Sequence, residues 1–259
     1  MNMDYYIALH TDVGIQKETN QDSMCIKQAR TDKGIIVLAM VCDGMGGLEK
    51  GEVASATIIK AFSKWFEQEL PIQLAMTDYE AEVRYRWERL IKEQNQIISE
   101  YGRNKHIQLG STITAMLIYE DGNFLIGHVG DTRAYKITEE NLEILTTDQT
   151  VVAKEVRQGR LTQEQAESDP RRNVLLQCIG ASRVVEPDFV CGKVKSNECY
   201  MLCSDGFRHV VTPQEIKDAF IPSNNAEETV MKENIVRLVD MNKERGETDN
   251  ISAILIKIL

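Results

Sequence analysis

A buried strand that ends in an aspartate and several glycines constrains this chain more than any other stretch. Residues 34–42, Gly-Ile-Ile-Val-Leu-Ala-Met-Val-Cys, are continuously apolar and of strand length, which predicts a strand covered on both faces. Asp43 follows at once, and Gly44, Gly46 and Gly47 come after it. Such glycines permit positive φ and close approach of the backbone to a bound group. Asp43 is therefore expected at the mouth of a rigid strand, where a carboxylate can hold a metal ion.

Two other aspartates occupy comparable positions far away in the sequence. Asp205 follows the short apolar run Met201–Ser204, and Asp249 lies just before Ile251–Ile258, a strongly β-patterned run. Asp43 by itself could equally accept a local hydrogen bond in a tight turn, and its own stretch leaves that alternative open. Three aspartates at three strand ends instead favour a carboxylate metal site in a sheet protein.

The composition bounds the class of protein. The chain has 259 residues, of which 42% are hydrophobic and 27% charged, as in ordinary globular proteins. No linker, repeat or low-complexity segment divides it, so residues 1–259 are expected to form a single domain. The net charge of -10 argues against nucleic-acid binding, because a phosphate backbone calls for a basic surface.

The sequence also lacks the marks of a membrane or secreted protein. No apolar run approaches the roughly 18–20 residues that span a bilayer, and residues 1–6 lack the basic and apolar regions of a signal peptide. The six cysteines form no C-x-x-C pair and no Cys/His metal spacing. These features predict a cytoplasmic protein with free thiols and no membrane association.

Hydrophobic periodicity gives the order of the elements. Beside the strand at 34–42, strands are predicted at residues 5–11, 23–28, 110–119, 124–129, 134–137, 142–145, 188–191, 198–204 and 251–258. Helices are predicted at residues 51–66 and 77–101, after Thr212-Pro213, and at 225–242, with short helices in a polar excursion at 147–173. Consecutive hairpins indicate antiparallel pairing, so the chain is expected to form sheets with helices outside them, as one α+β domain.

Six motifs, taken together and in order, resemble a known family. They are Thr11–Asp22, Val41–Gly47, Gly110–Thr112, Val129–Tyr135, Leu202–Gly206 and Asp249-Asn250. The chain resembles the metal-dependent protein serine/threonine phosphatases of type 2C, the PPM family, in their compact bacterial form. The resemblance covers nearly the whole chain. It implies a four-layer α-β-β-α sandwich, in which two antiparallel sheets face each other and helices cover both outer surfaces.

The resemblance also implies a centre of two divalent ions at one edge of the sandwich. Asp43 would bridge both ions, the carbonyl of Gly44 would bind one, and Asp205 and Asp249 would complete the other. All-oxygen ligands with open positions suit Mg²⁺ or Mn²⁺. Asp131 matches a position that, with Asp205, helps to hold a third and weaker ion in bacterial relatives.

The function implied is hydrolysis of phosphoserine and phosphothreonine in proteins, without a phosphoenzyme. A water shared by two divalent ions becomes hydroxide-like near neutral pH and attacks phosphorus in line. Asp22 would orient that water, and Lys17 would bind the substrate phosphate. The partners expected are phosphoproteins made by a serine/threonine kinase, and the expected oligomeric state is a monomer.

The chain departs from the family pattern at the substrate end of the site. Lys17 stands where these enzymes commonly have an arginine, so the charge stays but the bidentate fork is lost. Met45 stands where animal members have a histidine that serves as the general acid. Bacterial relatives also have methionine at this position. His128 is predicted to be structural, and neither His106 nor His209 is assigned a role.

Three other functions were weighed against phosphatase activity. A catalytically silent phosphoprotein-binding scaffold of the same fold is favoured only by Lys17, and the aspartates at positions 43, 205 and 249 argue against it. A calcium-binding protein would need a D-x-[DN]-x-[DN]-G loop, which is absent from the sequence. Residues 44–47 lack both the Walker lysine and the G-x-G-x-x-G spacing of nucleotide-binding loops.

Overall fold

The computed structural model describes residues 3–46 and 50–259, and two five-stranded antiparallel sheets form the centre of that part of the chain. In chain order the strands are β1 (Tyr5–Asp12), β2 (Ser23–Arg30), β3 (Ile35–Cys42), β4 (Gly44–Gly46), β5 (Leu109–Ser111), β6 (Ile113–Ile118), β7 (Asn123–Val129), β8 (Arg133–Ile137), β9 (Leu142–Ile144), β10 (Asp188–Lys193), β11 (Cys199–Cys203) and β12 (Ile251–Ile258). Sheet I has the strand order β1-β12-β11-β8-β9, and sheet II the order β10-β7-β6-β3-β2. The short strands β4 and β5 form a separate pair.

The helices lie in three regions of the chain. They are α1 (Gly51–Gln68), α2 (Leu70–Gln73), α3 (Tyr79–Lys105), α4 (Val151–Arg157), α5 (Gln163–Ser168), α6 (Pro213–Phe220) and α7 (Glu228–Glu244), and a 3-10 turn spans Pro222–Asn224. Thr162 and Thr212 form capping boxes with the third residues of α5 and α6, and this satisfies backbone groups at both helix starts. None of the described helices is long and apolar enough to cross a membrane.

Three separate apolar cores show how the layers stack. The first lies between α1, α3 and the outer face of sheet II, and Trp65 and Trp87 pack in it with ring centroids 5.4 Å apart. The second lies between sheet I and helices α6 and α7, and includes Phe207 and Phe220. The third joins the facing surfaces of the two sheets, where residues such as Val41 and Leu202 are fully buried. The predicted four-layer α-β-β-α sandwich is confirmed.

The strands predicted before Asp43 and before Asp205 are present, but the strand predicted at residues 110–119 is interrupted. One continuous strand was expected there, whereas the structure has β5, then Thr112 outside any strand, then β6. Strand β5 turns away to pair with β4, so the stretch after Asp43 is a short strand rather than a free glycine turn. The break occurs because Thr112 bonds the backbone of Asp43 instead of continuing the ladder.

The end of α3 and the start of α7 differ from the prediction. Helix α3 begins at Tyr79 with Asp78 at its N-cap position, in agreement with a cap at Thr77-Asp78, but it continues to Lys105 rather than ending near residue 101. Helix α7 begins at Glu228 rather than residue 225. Asn225 instead donates through Nδ2 to carbonyl oxygens at the end of α6.

Gly44 is needed for close packing and not for positive φ, contrary to the expectation for the glycine stretch. It is absent from the described residues with φ > 0. A Cβ on Gly44 would instead lie well inside van der Waals contact of the carbonyl oxygens of Gly51 and Gln21. The turn thus passes between the start of α1 and the segment before β2. Gly47, the last glycine of the predicted turn, lies outside the described residues.

Gly44→Ala is expected to lower the free energy of unfolding by about 3 kcal/mol or more, because two backbone segments would have to move. Gly159→Ala is the matched control, since Gly159 has φ +69° and no atom within 4 Å of an added Cβ. That change is expected to cost about 1 kcal/mol for backbone conformation alone. Urea unfolding of both variants measures the difference, and equal losses would contradict the packing argument.

Candidate active site

Asp43 is held by reciprocal hydrogen bonds at the point where β3 leaves sheet II. Its backbone N–H donates to Oγ1 of Thr112 (3.0 Å), and the backbone N–H of Thr112 donates to the carbonyl oxygen of Asp43 (2.9 Å). Thr112 is fully buried and is closely covered by Gly130, where an added Cβ would overlap the threonine side chain. The backbone of Asp43 is therefore fixed by Thr112, which lies between β5 and β6 and is itself closely packed.

Asn250 ties the loop that carries Lys17 and Asp22 to the start of β12. Its Oδ1 accepts from the backbone N–H of Gln21 (2.8 Å), and its Nδ2 donates to the carbonyl oxygen of Val13 (2.9 Å). Asn20 adds a local bond, since its Oδ1 accepts from the backbone N–H of Asp22 (3.0 Å). Asn250 and Asn20 were part of the sequence motifs, and the structure shows what their side chains do.

Asp205 and Asp249 come from the adjoining ends of β11 and β12. These strands pair antiparallel, so the end of one lies beside the start of the other. The backbone N–H of Ser204 donates to the carbonyl oxygen of Ser252 (3.0 Å), which continues the contact beyond the ladder. The two aspartates therefore share one edge of sheet I.

Asp131 joins the same region from the connection between β7 and β8. The residue is 6% exposed, and its carbonyl oxygen accepts a hydrogen bond from Nη2 of Arg208 (2.9 Å). Burial and the charge of Asp205 raise the pKa of its carboxyl to about 7, although Arg208 opposes the shift. Asp131 is thus electrostatically coupled to Asp205.

Neighbouring carboxylates add to the raised pKa values of Asp22 and Asp43. Burial raises the pKa of Asp22 to about 7, and the charges of Asp205 and Asp249 add to it. Burial also raises the pKa of Asp43 well above its usual range, and the charge of Asp22 contributes next. Carboxylates from both sheets thus affect the same region.

Several carboxylate oxygens in this cluster have no partner. Both side-chain oxygens of Asp22 and Oδ1 of Asp205 are buried without a hydrogen bond among the described residues. Buried acceptors are almost always satisfied, so these oxygens are suited to bind a cation or a water. The donor set is all oxygen, which fits Mg²⁺ or Mn²⁺.

The described residues contain no compact cluster of three or more His, Cys, Asp or Glu side chains that would enclose one ion. The described side chains therefore do not form a closed three-residue metal site. Mg²⁺ is commonly bound through one or two carboxylates and keeps several waters.

His209 is the residue that the sequence analysis missed. Its Nε2 lies 3.3 Å from Oδ2 of Asp205, and its Nδ1 lies 3.2 Å from Oε2 of Glu247. Burial alone would lower the pKa of His209, but the two carboxylates outweigh it and raise the pKa to about 10. Burial likewise would raise the pKa of Asp205, but His209 and Arg208 hold it below its usual range. No sequence pattern singles out this histidine, because Glu247 is brought to it only by folding.

The other predicted side chains are placed as follows. Nζ of Lys17 lies 3.2 Å from Oδ1 of Asp249, and both side chains are partly exposed, so the predicted phosphate-binding lysine is beside the aspartates. His128 is buried and bonded to Oγ1 of Thr114 (3.0 Å) and to the carbonyl of Thr147 (3.2 Å), in agreement with a structural role.

The polar excursion is anchored to the site at its first residues. Arg133 forms a bidentate ion pair with Asp148, through Nε at 2.8 Å and Nη2 at 2.7 Å. Arg208 approaches the same carboxylate at 3.3 Å and also reaches Asp131. The segment that leads into α4 and α5 is thereby connected to the strand ends that carry the acidic cluster.

The chain matches the family model described as Protein phosphatase 2C over residues 14–240. The protein phosphatase PhpP of Streptococcus pneumoniae is 31% identical over 255 residues, which cover 93% of this chain and 99% of the relative. The serine/threonine phosphatase stp of Listeria welshimeri is 28% identical, with coverage of 97% and 95%.

Solved structures show the same similarity. The serine/threonine phosphatase Stp1 from Staphylococcus aureus has a TM-score of 0.85 and 27% identity, and the match covers 100% of this chain and 97% of that one. The catalytic domain of the phosphatase PstP, solved with two manganese ions, has a TM-score of 0.79, 25% identity and full coverage of both chains.

Asp22→Asn is expected to stabilise the metal-free protein at pH 8, by about 1–3 kcal/mol. A carboxyl whose pKa is raised by folding binds protons more tightly when folded, so lower pH stabilises the folded protein. The wild type should therefore become more stable as the pH falls from 8 through about 7 to 5, and the advantage of the variant should shrink. Unfolding in EDTA at both pH values measures this, with exposed Asp32→Asn as control. An advantage that is independent of pH would refute the electrostatic explanation.

Proposed function

Since this chain belongs to the protein phosphatase 2C family and is a protein serine/threonine phosphatase, we propose that it hydrolyses phosphoserine and phosphothreonine with two divalent metal ions. The observation that carries the proposal is the group of buried, unpartnered carboxylate oxygens on Asp22 and Asp205. Together with the raised pKa of Asp43, they mark a place where the fold concentrates negative charge. Divalent cations would offset such a concentration of charge.

The proposed ligands come from three strand ends. Asp43 would contribute to both ions, the carbonyl oxygen of Gly44 to one, and Asp205 and Asp249 to the other. Asp131 with Asp205 would hold a third, weaker ion. Mn²⁺ and Mg²⁺ are the proposed ions, supported by the oxygen donors and by the two manganese ions in the PstP structure.

When bound, two such ions supply a shared water as the nucleophile and neutralise the phosphate oxygens. Asp22 would accept a hydrogen bond from that water and orient it. Both of its side-chain oxygens are buried without a hydrogen bond among the described residues, and its backbone N–H donates to Oδ1 of Asn20. Lys17 is the residue proposed to bind the substrate phosphate. It pairs with Asp249, and a metal ion bound to Asp249 would weaken that pair and leave the lysine available to the phosphate.

The cysteines beside the cluster are packing residues rather than nucleophiles. Burial raises the pKa of the Cys203 thiol to about 12, and that of Cys42 well above its usual range. Both side chains are fully buried. Because the thiolate is the nucleophilic form, neither residue forms a phosphoenzyme at neutral pH.

The substrates proposed are phosphoproteins produced by a serine/threonine kinase. Residues 1–259 are proposed to act as one catalytic domain and as a monomer. A cytoplasmic location remains a prediction from the sequence.

Asp205→Asn is expected to abolish Mn²⁺-dependent release of phosphate from a phosphothreonine peptide, because one proposed ligand loses its charge. EDTA should abolish the activity of the wild type, and Mn²⁺ should restore it. Asp32→Asn, a change of the same chemistry at an exposed turn, should retain full activity.

Activity that survives both EDTA and Asp205→Asn would rule out the two-metal mechanism. If the wild type binds Mn²⁺ by calorimetry but releases no phosphate, the protein is a phosphoprotein-binding scaffold instead.

Lys17→Arg is expected to lower the KM for a phosphopeptide about 5- to 30-fold, which corresponds to roughly 1–2 kcal/mol. An arginine keeps the charge and adds a second, parallel hydrogen bond to the phosphate. Steady-state kinetics should show the change mainly in KM. Lys33→Arg, at an exposed lysine, is the control. An unchanged or higher KM for Lys17→Arg would show that residue 17 does not bind the phosphate.

A further inference from the structure

His209 connects two carboxylates that belong to different segments. Its Nε2 faces Oδ2 of Asp205 at 3.3 Å, and its Nδ1 faces Oε2 of Glu247 at 3.2 Å. Nδ1 is hydrogen-bonded to Glu247, and Nε2 is within ion-pair distance of Asp205 when the ring is protonated. The ring is mostly buried, with 21% of its side chain exposed, and its orientation is set by partners on both sides.

Glu247 is itself fixed from several directions. It is 5% exposed, and its Oε1 accepts from the backbone N–H groups of Thr248 (2.8 Å) and Asp249 (2.9 Å). Its own N–H donates to the carbonyl oxygen of Asn242 in α7 (3.0 Å). One side chain therefore holds both His209 and the backbone of a proposed metal ligand.

The two oxygens of Asp205 are not equivalent as a result. Oδ2 lies 3.3 Å from Nε2 of His209, whereas Oδ1 is buried without a hydrogen bond among the described residues. A carboxylate held in this way presents one oxygen to a metal ion. Mg²⁺ demands near-ideal octahedral geometry, while Ca²⁺ accepts bidentate carboxylates and a larger, more flexible shell.

Resting on the proposed function, we propose that His209, supported by Glu247, is a positioning residue that makes Asp205 a one-oxygen ligand and so favours Mn²⁺ or Mg²⁺ over Ca²⁺. The pair also fixes the spacing between Asp205 and Asp249, because Glu247 bonds the backbone of Asp249 while it holds the histidine. His209 touches neither substrate nor metal, and it acts through the ligand.

Calorimetric titration of the metal-free full-length protein with Mn²⁺ and separately with Ca²⁺ tests the proposal. His209→Leu removes both donors at similar volume and is expected to weaken Mn²⁺ binding about 10- to 100-fold. Its Ca²⁺ affinity should fall much less, since Oδ2 of Asp205 becomes available, so the Mn²⁺ to Ca²⁺ affinity ratio should drop at least about tenfold.

Three further variants separate positioning from general damage. His209→Gln places an amide donor near the position of Nε2 and should restore part of the affinity ratio. Glu247→Gln keeps the shape of the support but removes its charge, and should shift the ratio in the same direction as His209→Leu. His106→Asn, at an exposed helix end with φ 58° that asparagine tolerates, should change neither affinity.

Each outcome decides the matter. An equal loss of Mn²⁺ and Ca²⁺ affinity in His209→Leu and Glu247→Gln would show that His209 and Glu247 form a structural ion pair that does not determine metal selectivity. Unchanged affinities, or tighter Mn²⁺ binding, would show that the pair does not position Asp205. If the wild type itself binds no Mn²⁺, the proposed metal centre fails, and this inference fails with it. Thermal unfolding in EDTA shows whether His209→Leu is folded. If it is not folded, the Mn²⁺ to Ca²⁺ affinity ratio of Glu247→Gln tests the proposal instead.

Discussion

Repulsion between buried carboxylates destabilises the folded protein, and the rest of the structure has to offset it. Burial and neighbouring charge raise the pKa of Asp22, Asp43 and Asp131 together, so ionising all of them at neutral pH costs folding free energy. A protein without a use for this cluster would be more stable with amides at these positions. The ionised cluster therefore lowers the stability of the fold, and bound cations would offset that loss. The surrounding structure has to be rigid enough to hold the charges together.

That rigidity comes from the way the two sheets end beside each other. Strand β3 of sheet II and strands β11 and β12 of sheet I are almost entirely buried, and the core between the sheets fixes their separation. Asp43, Asp205 and Asp249 each follow or precede one of these strands by one or two residues. Thr112 and Asn250 then hold the backbone on either side. The proposed metal ligands are thus carried by strand ends.

The cations near the cluster act on its carboxylates unequally. His209 and Arg208 lower the pKa of Asp205, whereas burial and neighbouring carboxylates raise that of Asp43. Lys17 is more exposed and pairs with Asp249. The placement separates His209, the proposed positioning residue, from Lys17, the proposed phosphate-binding residue.

The sequence by itself determined the layers of the fold, the strands that carry the aspartates and the identity of the acidic residues. Continuous apolar runs such as Ile251–Ile258 and cap signals such as Thr212-Pro213 are local, so they can be read without a partner. Only the tertiary structure decided the break at Thr112, the role of Asn250 and the bridge from His209 to Glu247. Their partners lie 69, 229 and 38 residues away. A hydrogen bond depends on positions in space, which a one-dimensional pattern specifies only after the sheets have brought distant segments together.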